Sequence, residues 1–251
     1  MNSQIIDCKN DFPIFKNQEV TYLDTASTSQ KPQCVIDSIV DFYQNYNANI
    51  HRGLYPWAEK ATSIYESARN KIAKYINTKS ETLVFTKGTT ESINFISSSW
   101  GENNINKEDN IVITEMEHHS NIVPWQILSR KTGAELRYIP ISNSGDLILD
   151  NIDEIIDNNT KIVSIIHQSN VFGTINPIDA IIKKAHNNSA KVLIDAAQSI
   201  AHQAIDVSNM NCDFLVFSGH KILGPTGIGC LYIKENILND LEPYQTGGQM
   251  I

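Results

Sequence analysis

Residues 162–199, IVSIIHQSNVFGTINPIDAIIKKAHNNSAKVLIDAAQS, decide the fold. Ile162–Ile166 is a short, mostly β-branched apolar run, the composition of a strand covered on both faces. Polar residues and a Gly173–Pro177 stretch end it. Pro177–Asn187 then has the apolar spacing of a helix, and Val192–Asp195 is a second short apolar run. Strand, helix and strand in so short a length argue an α/β domain with a largely parallel sheet.

The alternation extends outward. Leu83–Thr86, Ile111–Thr114 and Leu136–Ile139 precede this unit, and Phe214–Ser218 and Gly229–Ile233 follow it. Helical patterns over Glu91–Trp100 and Asn121–Lys131 separate earlier runs. Upstream, residues 33–46 set Val35, Ile36, Ile39, Val40, Tyr43 and Tyr46 on one stripe. Residues 57–76 do the same with Trp57, Ala61, Ile64, Ala68, Ile72 and Ile76. The expected fold class is α/β, a mixed, mainly parallel sheet with flanking helices. No linker interrupts residues 60–235, and the first thirty or so residues are irregular. The reading divides the chain into an N-terminal segment, 1–30, and a large domain, 31–251.

Composition excludes several functions. The 251 residues carry 20 basic and 28 acidic side chains, a net charge of −8, which argues against a nucleic-acid partner. A hydrophobic content of 41% suits a chain that buries a core and not a disordered tail. No apolar run is long enough for a membrane span, so no membrane partner is expected. Cys8, Cys34, Cys212 and Cys230 lie far apart with no CxxC pair, and the N-terminus lacks the pattern of a secretory signal. A reducing, cytoplasmic setting is the expectation.

Polar residues gather where the apolar runs stop: Thr86–Glu91, Glu115–His119, His167–Asn170, Asp195–Gln198 and Ser218–Lys221. Open α/β sheets bind ligands outside the carboxyl ends of their strands, so five such ends point to one shared site.

Each end has a chemistry and a plainer alternative. Gly88-Thr89-Thr90 opens a helix, where free N–H groups and two hydroxyls bind phosphate; the same residues also make an ordinary helix cap. Lys221, between His220 and an apolar Gly-Pro stretch, suits a desolvated amine with a lowered pKa, free for Schiff-base chemistry. The commoner fate of a lysine is a solvated surface. Ser218 and His220 stand beside it as phosphate donors. Asp195 ends an apolar strand and needs a partner, either a protonated heterocyclic nitrogen or the N–H groups opening Ala196–Ala201. Gln198 and Asn170 are amides suited to a phenolic oxygen or to loop backbone. Of the adjacent His118 and His119, only one can face a site, to stack on an aromatic ring or move protons. No ligand spacing accompanies them, so no metal site is expected. Met116 and Trp125 read as packing residues.

Together FTKGTTESIN (85–94), TEMEHHSNIVPW (114–125), HQSNVFGT (167–174), VLIDAAQS (192–199) and FSGHKILGPTGIGCLY (217–232) resemble the fold-type-I pyridoxal-phosphate enzymes of aminotransferase class V. Within that class the closest likeness is to the SUF-type cysteine desulfurases, which also act as selenocysteine lyases. The resemblance runs from about Phe12 to Ile251. It implies a large domain of that transferase fold, with pyridoxal 5'-phosphate as cofactor. Lys221 matches the lysine that bonds the cofactor, His118 the histidine stacked on its ring, and Asp195 the partner of the pyridine nitrogen. Thr89, Thr90, Ser218 and His220 match phosphate contacts. Gln198 and Asn170 match groups near the ring oxygen or the substrate. Tyr22–Ala26 and His51–Gly53 match segments lining the substrate entrance, which puts Ala26, His51 and Asn170 on the substrate side.

The implied reaction converts L-cysteine, or L-selenocysteine, to L-alanine. The sulfur passes as a persulfide to an acceptor protein of the SUF system for iron–sulfur cluster assembly. The implied full-length assembly is a homodimer. Tyr55 stands where a second histidine is frequent, and Thr246-Gly247-Gly248 where three glycines are common. Family members continue into a small C-terminal domain that bears the sulfur-accepting cysteine and a carboxylate-binding arginine. None of the four cysteines matches that cysteine, and Cys230 reads as core. The expectation is an N-terminal portion without that domain, catalytically incomplete alone, poorly soluble and weak in holding the cofactor. Another class V enzyme and a non-catalytic cofactor-binding product are the alternatives.

Overall fold

A computed structural model describes residues 8–16, 18–248 and 250; the first seven residues and Asn17 of the expected N-terminal segment lie outside the described residues. The apolar runs form strands β1 (Leu83–Thr86), β2 (Asn110–Thr114), β3 (Glu135–Ile139), β4 (Thr160–Ile166), β5 (Lys191–Asp195), β6 (Phe214–Ser218) and β7 (Gly229–Ile233). They make one seven-stranded sheet in the order β1-β7-β6-β5-β4-β2-β3. The pairs β2–β3, β2–β4, β4–β5 and β5–β6 are parallel, and β7 is antiparallel to β6 and to β1. Six strands therefore run one way, and Thr86, Thr114, Ile166, Asp195 and Ser218 end at one edge.

Side chains alternate between two cores, one on each face. On β2 and β4, Val112, Val163 and Ile165 join one core while Ile111, Ile113 and Ile162 join the other. Every residue of β2, β6 and β7 is buried, which is why these runs lack the apolar–polar alternation of a half-exposed strand. Cys230 lies buried in β7 and Cys212 is buried just before β6; Cys8 and Cys34 are exposed, and all four thiols are free.

The helical patterns form α1 (Gln33–Asp41), α2 (Pro56–Tyr75), α3 (Thr89–Ile96), α4 (Val123–Thr132) and α5 (Ile178–Asn187). Proline in the first turn starts α2 and α4, and Gly133 (φ 80°) closes α4 with its N–H on Ser129 O at 2.8 Å. The stripes over 33–46 and 57–76 are helical but turn largely outward. Ile36, Ile39, Val40, Tyr43, Trp57 and Ile64 are exposed, while Ala58, Ala61 and Ala73 are buried. Helical periodicity fixes which side chains share a face, not that another element covers it.

Candidate active site at the strand ends

The polar strand ends enclose a cavity of about 310 Å³. Thr89 and Thr90 line it from α3, His118 and Ser120 from the turn after β2, and Ile166 and Asn170 from the end of β4. Asp195, Ala197 and Gln198 line it from β5, and Ser218, His220 and Lys221 from β6. Ala26 and Ser27 close the remaining side. Every site residue expected from the sequence lies here except His51. The turn carrying His51 is folded against α2: its backbone N–H donates to Thr62 Oγ1 at 2.9 Å, and its Nε2 is 3.4 Å from Glu66 Oε1. Its expected place at the substrate entrance has no counterpart among the residues lining this cavity.

One part of the cavity gathers groups that can hold an anion. The N–H of Thr89 donates to Ser218 Oγ at 2.8 Å, and the two hydroxyls lie 2.9 Å apart. This joins the first turn of α3 to the end of β6, so helix N–H groups, hydroxyls and the His220 imidazole sit together. The junction depends on a close backbone approach. A Cβ on Gly229 would stand 2.5 Å from Gly88 Cα, and Gly88 itself has φ 154°. Thr89 and Thr90 are the first residues of α3 and Gly88 holds the N-cap position, so neither threonine is the N-cap of that helix.

The floor carries opposite charge. Asp195 is buried, its Oδ1 accepting from the Ala197 N–H at 2.9 Å. Burial pushes its carboxyl up to about 6, against the pull of that N–H and of Lys221. The bond to Ala197 is the turn-capping alternative, and the same carboxylate also lines the cavity. Burial lowers the Lys221 pKa, and the Asp195 charge opposes the shift. The lysine is therefore neither fully solvated nor locked in a salt bridge.

His118 and His119 diverge: His118 lines the cavity and His119 does not. His118 Nδ1 accepts from the Ser120 N–H at 3.2 Å, with Ser120 Oγ at 2.8 Å. An N–H can only donate, so Nδ1 is bare and the neutral ring carries its proton on Nε2. Burial, then Lys221 and His119, lower its pKa and keep it neutral.

The N-terminal segment clamps the lysine turn. The carbonyl of His220 accepts from Ser29 N and Ser29 Oγ, both at 2.9 Å, and from Lys31 Nζ at 3.0 Å. Ser29 Oγ in turn accepts from Leu223 N at 2.8 Å. Gln198 Nε2 donates to Ala26 O at 2.8 Å, so one donor of that amide holds the segment down. Ser29 and Lys31 were not legible as site residues, because their partner is a backbone carbonyl 191 and 189 positions away. Glu117, buried behind the cavity wall, was missed for the same kind of reason.

The donor set fits a ligand with three features: an anionic group against Thr89, Thr90, Ser218 and His220, a protonated ring nitrogen against Asp195, and a carbonyl carbon within reach of the Lys221 amine. Pyridoxal phosphate has all three.

A family model described as aminotransferase class-V matches residues 21–251. The chain is 50% identical to a cysteine desulfurase of Wigglesworthia glossinidia brevipalpis, an alignment covering 100% of this chain and 63% of that protein. Among solved structures, the apo cysteine desulfurase of Thermococcus onnurineus NA1 superposes with a TM-score of 0.92 at 38% identity, over 99% of this chain and 62% of that one. A structure described as SspA in complex with cysteine superposes with a TM-score of 0.84 at 30% identity, over 92% of this chain and 66% of that one.

Proposed function

This chain belongs to the aminotransferase class-V family, which is pyridoxal-phosphate dependent, as a cysteine desulfurase homologue spanning about 63% of the length of its curated relatives, and we propose that it holds the cofactor for desulfuration of L-cysteine. The observation that carries the reading is the placement of Lys221 and buried Asp195 on one cavity with an anion cradle at its other end. The relative in complex with cysteine supports the choice of substrate.

When bound, pyridoxal phosphate supplies an electron sink conjugated to the substrate Cα. The rest falls to the protein. Thr89, Thr90, Ser218 and His220 bind the phosphate. Asp195, deprotonated above about pH 6, holds a proton on the ring nitrogen. Lys221 anchors the cofactor covalently. The same amine, its pKa lowered by burial, would be the group able to accept and return a proton beside the substrate Cα. His118, which lines the same cavity, would flank the cofactor, with its ring proton on Nε2. Asn170 and Gln198 orient polar groups there, and Ala26 closes the mouth.

In balance, L-cysteine and an acceptor thiol give L-alanine and a persulfide. The acceptor must be a thiolate to attack sulfur. None of the four thiols lines the cavity, and burial pushes Cys230 up to about 12, so the accepting thiol reaches the site from elsewhere in the assembled protein. A sulfur-acceptor protein and a second copy of the chain belong to this reading, as does a cytoplasmic setting. No helix among the described residues is long and apolar enough to cross a membrane.

The test uses the protein as its gene encodes it, loaded with pyridoxal phosphate and given L-cysteine with dithiothreitol. Alanine and sulfide in equal amounts are expected. Absence of alanine, or pyruvate in its place, overturns the reading.

A further inference from the structure

Strand β2 stops one step short of its neighbour. Its last pairing with β4 is Ile113 with Ser164, yet β4 continues to Ile166, which lines the cavity and pairs with Asp195 on β5. No β2 carbonyl meets the Ile166 N–H. The side chain of Glu117 does instead, with Oε1 accepting at 2.9 Å, while Asn176 Nδ2 donates to the Ile166 carbonyl at 2.7 Å. Glu117 Oε1 also accepts from Thr114 Oγ1 at 2.6 Å, and Oε2 from Asn121 Nδ2 at 2.6 Å. Glu117 thus bridges β2, β4 and the turn that carries His118.

Only a carboxyl satisfies this position. Asn121 cannot be turned round, because its Oδ1 accepts from Trp125 Nε1 at 2.9 Å and from Ser164 Oγ at 2.6 Å, and an indole N–H is a donor only. Its Nδ2 therefore faces Glu117. A glutamine at 117 would set an N–H against either Asn121 Nδ2 or the Ile166 N–H. Burial, with Asp195 adding to the effect, pushes the Glu117 carboxyl up to about 8. With the proton on, the Thr114 hydroxyl at 2.6 Å is the one partner that can turn to accept it, while Oε1 still accepts from the Ile166 N–H and Oε2 from Asn121 Nδ2, an arrangement a glutamine NH2 cannot copy.

We propose that Glu117 is a positioning residue of the cofactor site, completing the β2–β4 floor so that Ile166 and the His118 turn are held against the bound ring. The inference rests on the proposed function, and wild-type binding tests that separately: if the wild-type protein takes up no pyridoxal phosphate, the functional reading falls first.

The experiment measures pyridoxal phosphate affinity and the visible circular dichroism of the bound cofactor, alongside far-ultraviolet dichroism as a check on folding. Glu117→Gln leaves one buried donor unpaired, so its affinity is expected to fall about tenfold, with loss of most of the visible band. The double variant Glu117→Gln/Asn121→Asp exchanges donor and acceptor and rebuilds the network; it is expected to recover affinity to within about threefold and to regain the band. Wild-type affinity and band in the single variant overturn the proposal. So does a double variant that regains folding stability but not the band. If Glu117→Gln does not fold, Thr114→Val, which removes one donor and keeps the carboxyl, decides: a weakened band supports the proposal and an unchanged one overturns it.

Discussion

The amide N–H of Thr89 donates to the hydroxyl of Ser218 at 2.8 Å across 129 residues of sequence, and this bond joins the two elements proposed to hold the cofactor phosphate. Removing the hydroxyl leaves a buried N–H and a buried Thr89 hydroxyl short of a partner. Ser218→Ala is therefore expected to cost about 1–3 kcal/mol of stability, measured by urea titration. It should also weaken pyridoxal phosphate binding more than pyridoxal binding. Equal effects on the two would remove Ser218 from the phosphate site.

Asp195 is the buried group that can keep a ring nitrogen protonated. Asp195→Ala should lower cofactor affinity by roughly tenfold to a hundredfold, the loss of a charge-assisted hydrogen bond. Asp195→Asn keeps the shape and the Ala197 contact but loses the charge. It should bind cofactor better than the alanine variant yet form little alanine from cysteine. An asparagine variant with wild-type turnover contradicts this role.

In the cofactor-free protein Glu117 contributes stability that is lost as pH rises, while His118, His167 and His220, lowered by burial, work in the opposite direction. Glu117 has an ordinary value near 4.5 when unfolded and is pushed to about 8 by burial when folded. Over that interval the folded state holds a proton that the unfolded state has released, so stability is greatest below about pH 4.5 for this group and declines up to about pH 8. Asp195 adds the same sign up to about pH 6. Glu117→Gln removes this falling contribution and keeps the histidines', so between about pH 6 and 8 its urea midpoint should rise relative to wild type as pH increases. A difference between variant and wild type that stays constant across this range contradicts the buried-acid account.

Gly229 admits no side chain, since its Cβ would meet Gly88 Cα at 2.5 Å and Phe217 O at 2.8 Å. Both neighbours are backbone and neither can swing aside. Gly229→Ala should cost about 1–3 kcal/mol or more and weaken cofactor binding together with stability, as α3 is pushed from β6. By contrast, Cys8→Ser and Cys34→Ser change exposed thiols and should stay within about 0.5 kcal/mol of wild type.

The seven strands were legible because each is a short apolar run and burial on both faces leaves no polar residue inside most of them. The residues that line the cavity were legible because an α/β sheet gathers its strand ends, so Thr89, His118, Asp195 and Lys221 could be placed together without knowing the strand order. The reversal of β7 was not legible: Gly229–Ile233 reads the same in either direction, and pairing is decided by β6 and β1 on either side of it. Glu117 was hidden inside EMEHHS because its role arises where β2 ends before β4 does, a relation between two strands. His51 lies outside this chain's cavity, and a motif near the N-terminus carries no sign of the contacts to Thr62 and Glu66 that hold its turn against α2.

The central claim is that Lys221 holds the cofactor, and trapping tests it most directly. Protein loaded with pyridoxal phosphate is reduced with borohydride, digested, and the pyridoxyl-bearing peptide identified by mass spectrometry. The account predicts one dominant adduct, on Lys221, absent from Lys221→Ala. An adduct on Lys31 or on surface lysines, with Lys221 unmodified, would contradict it.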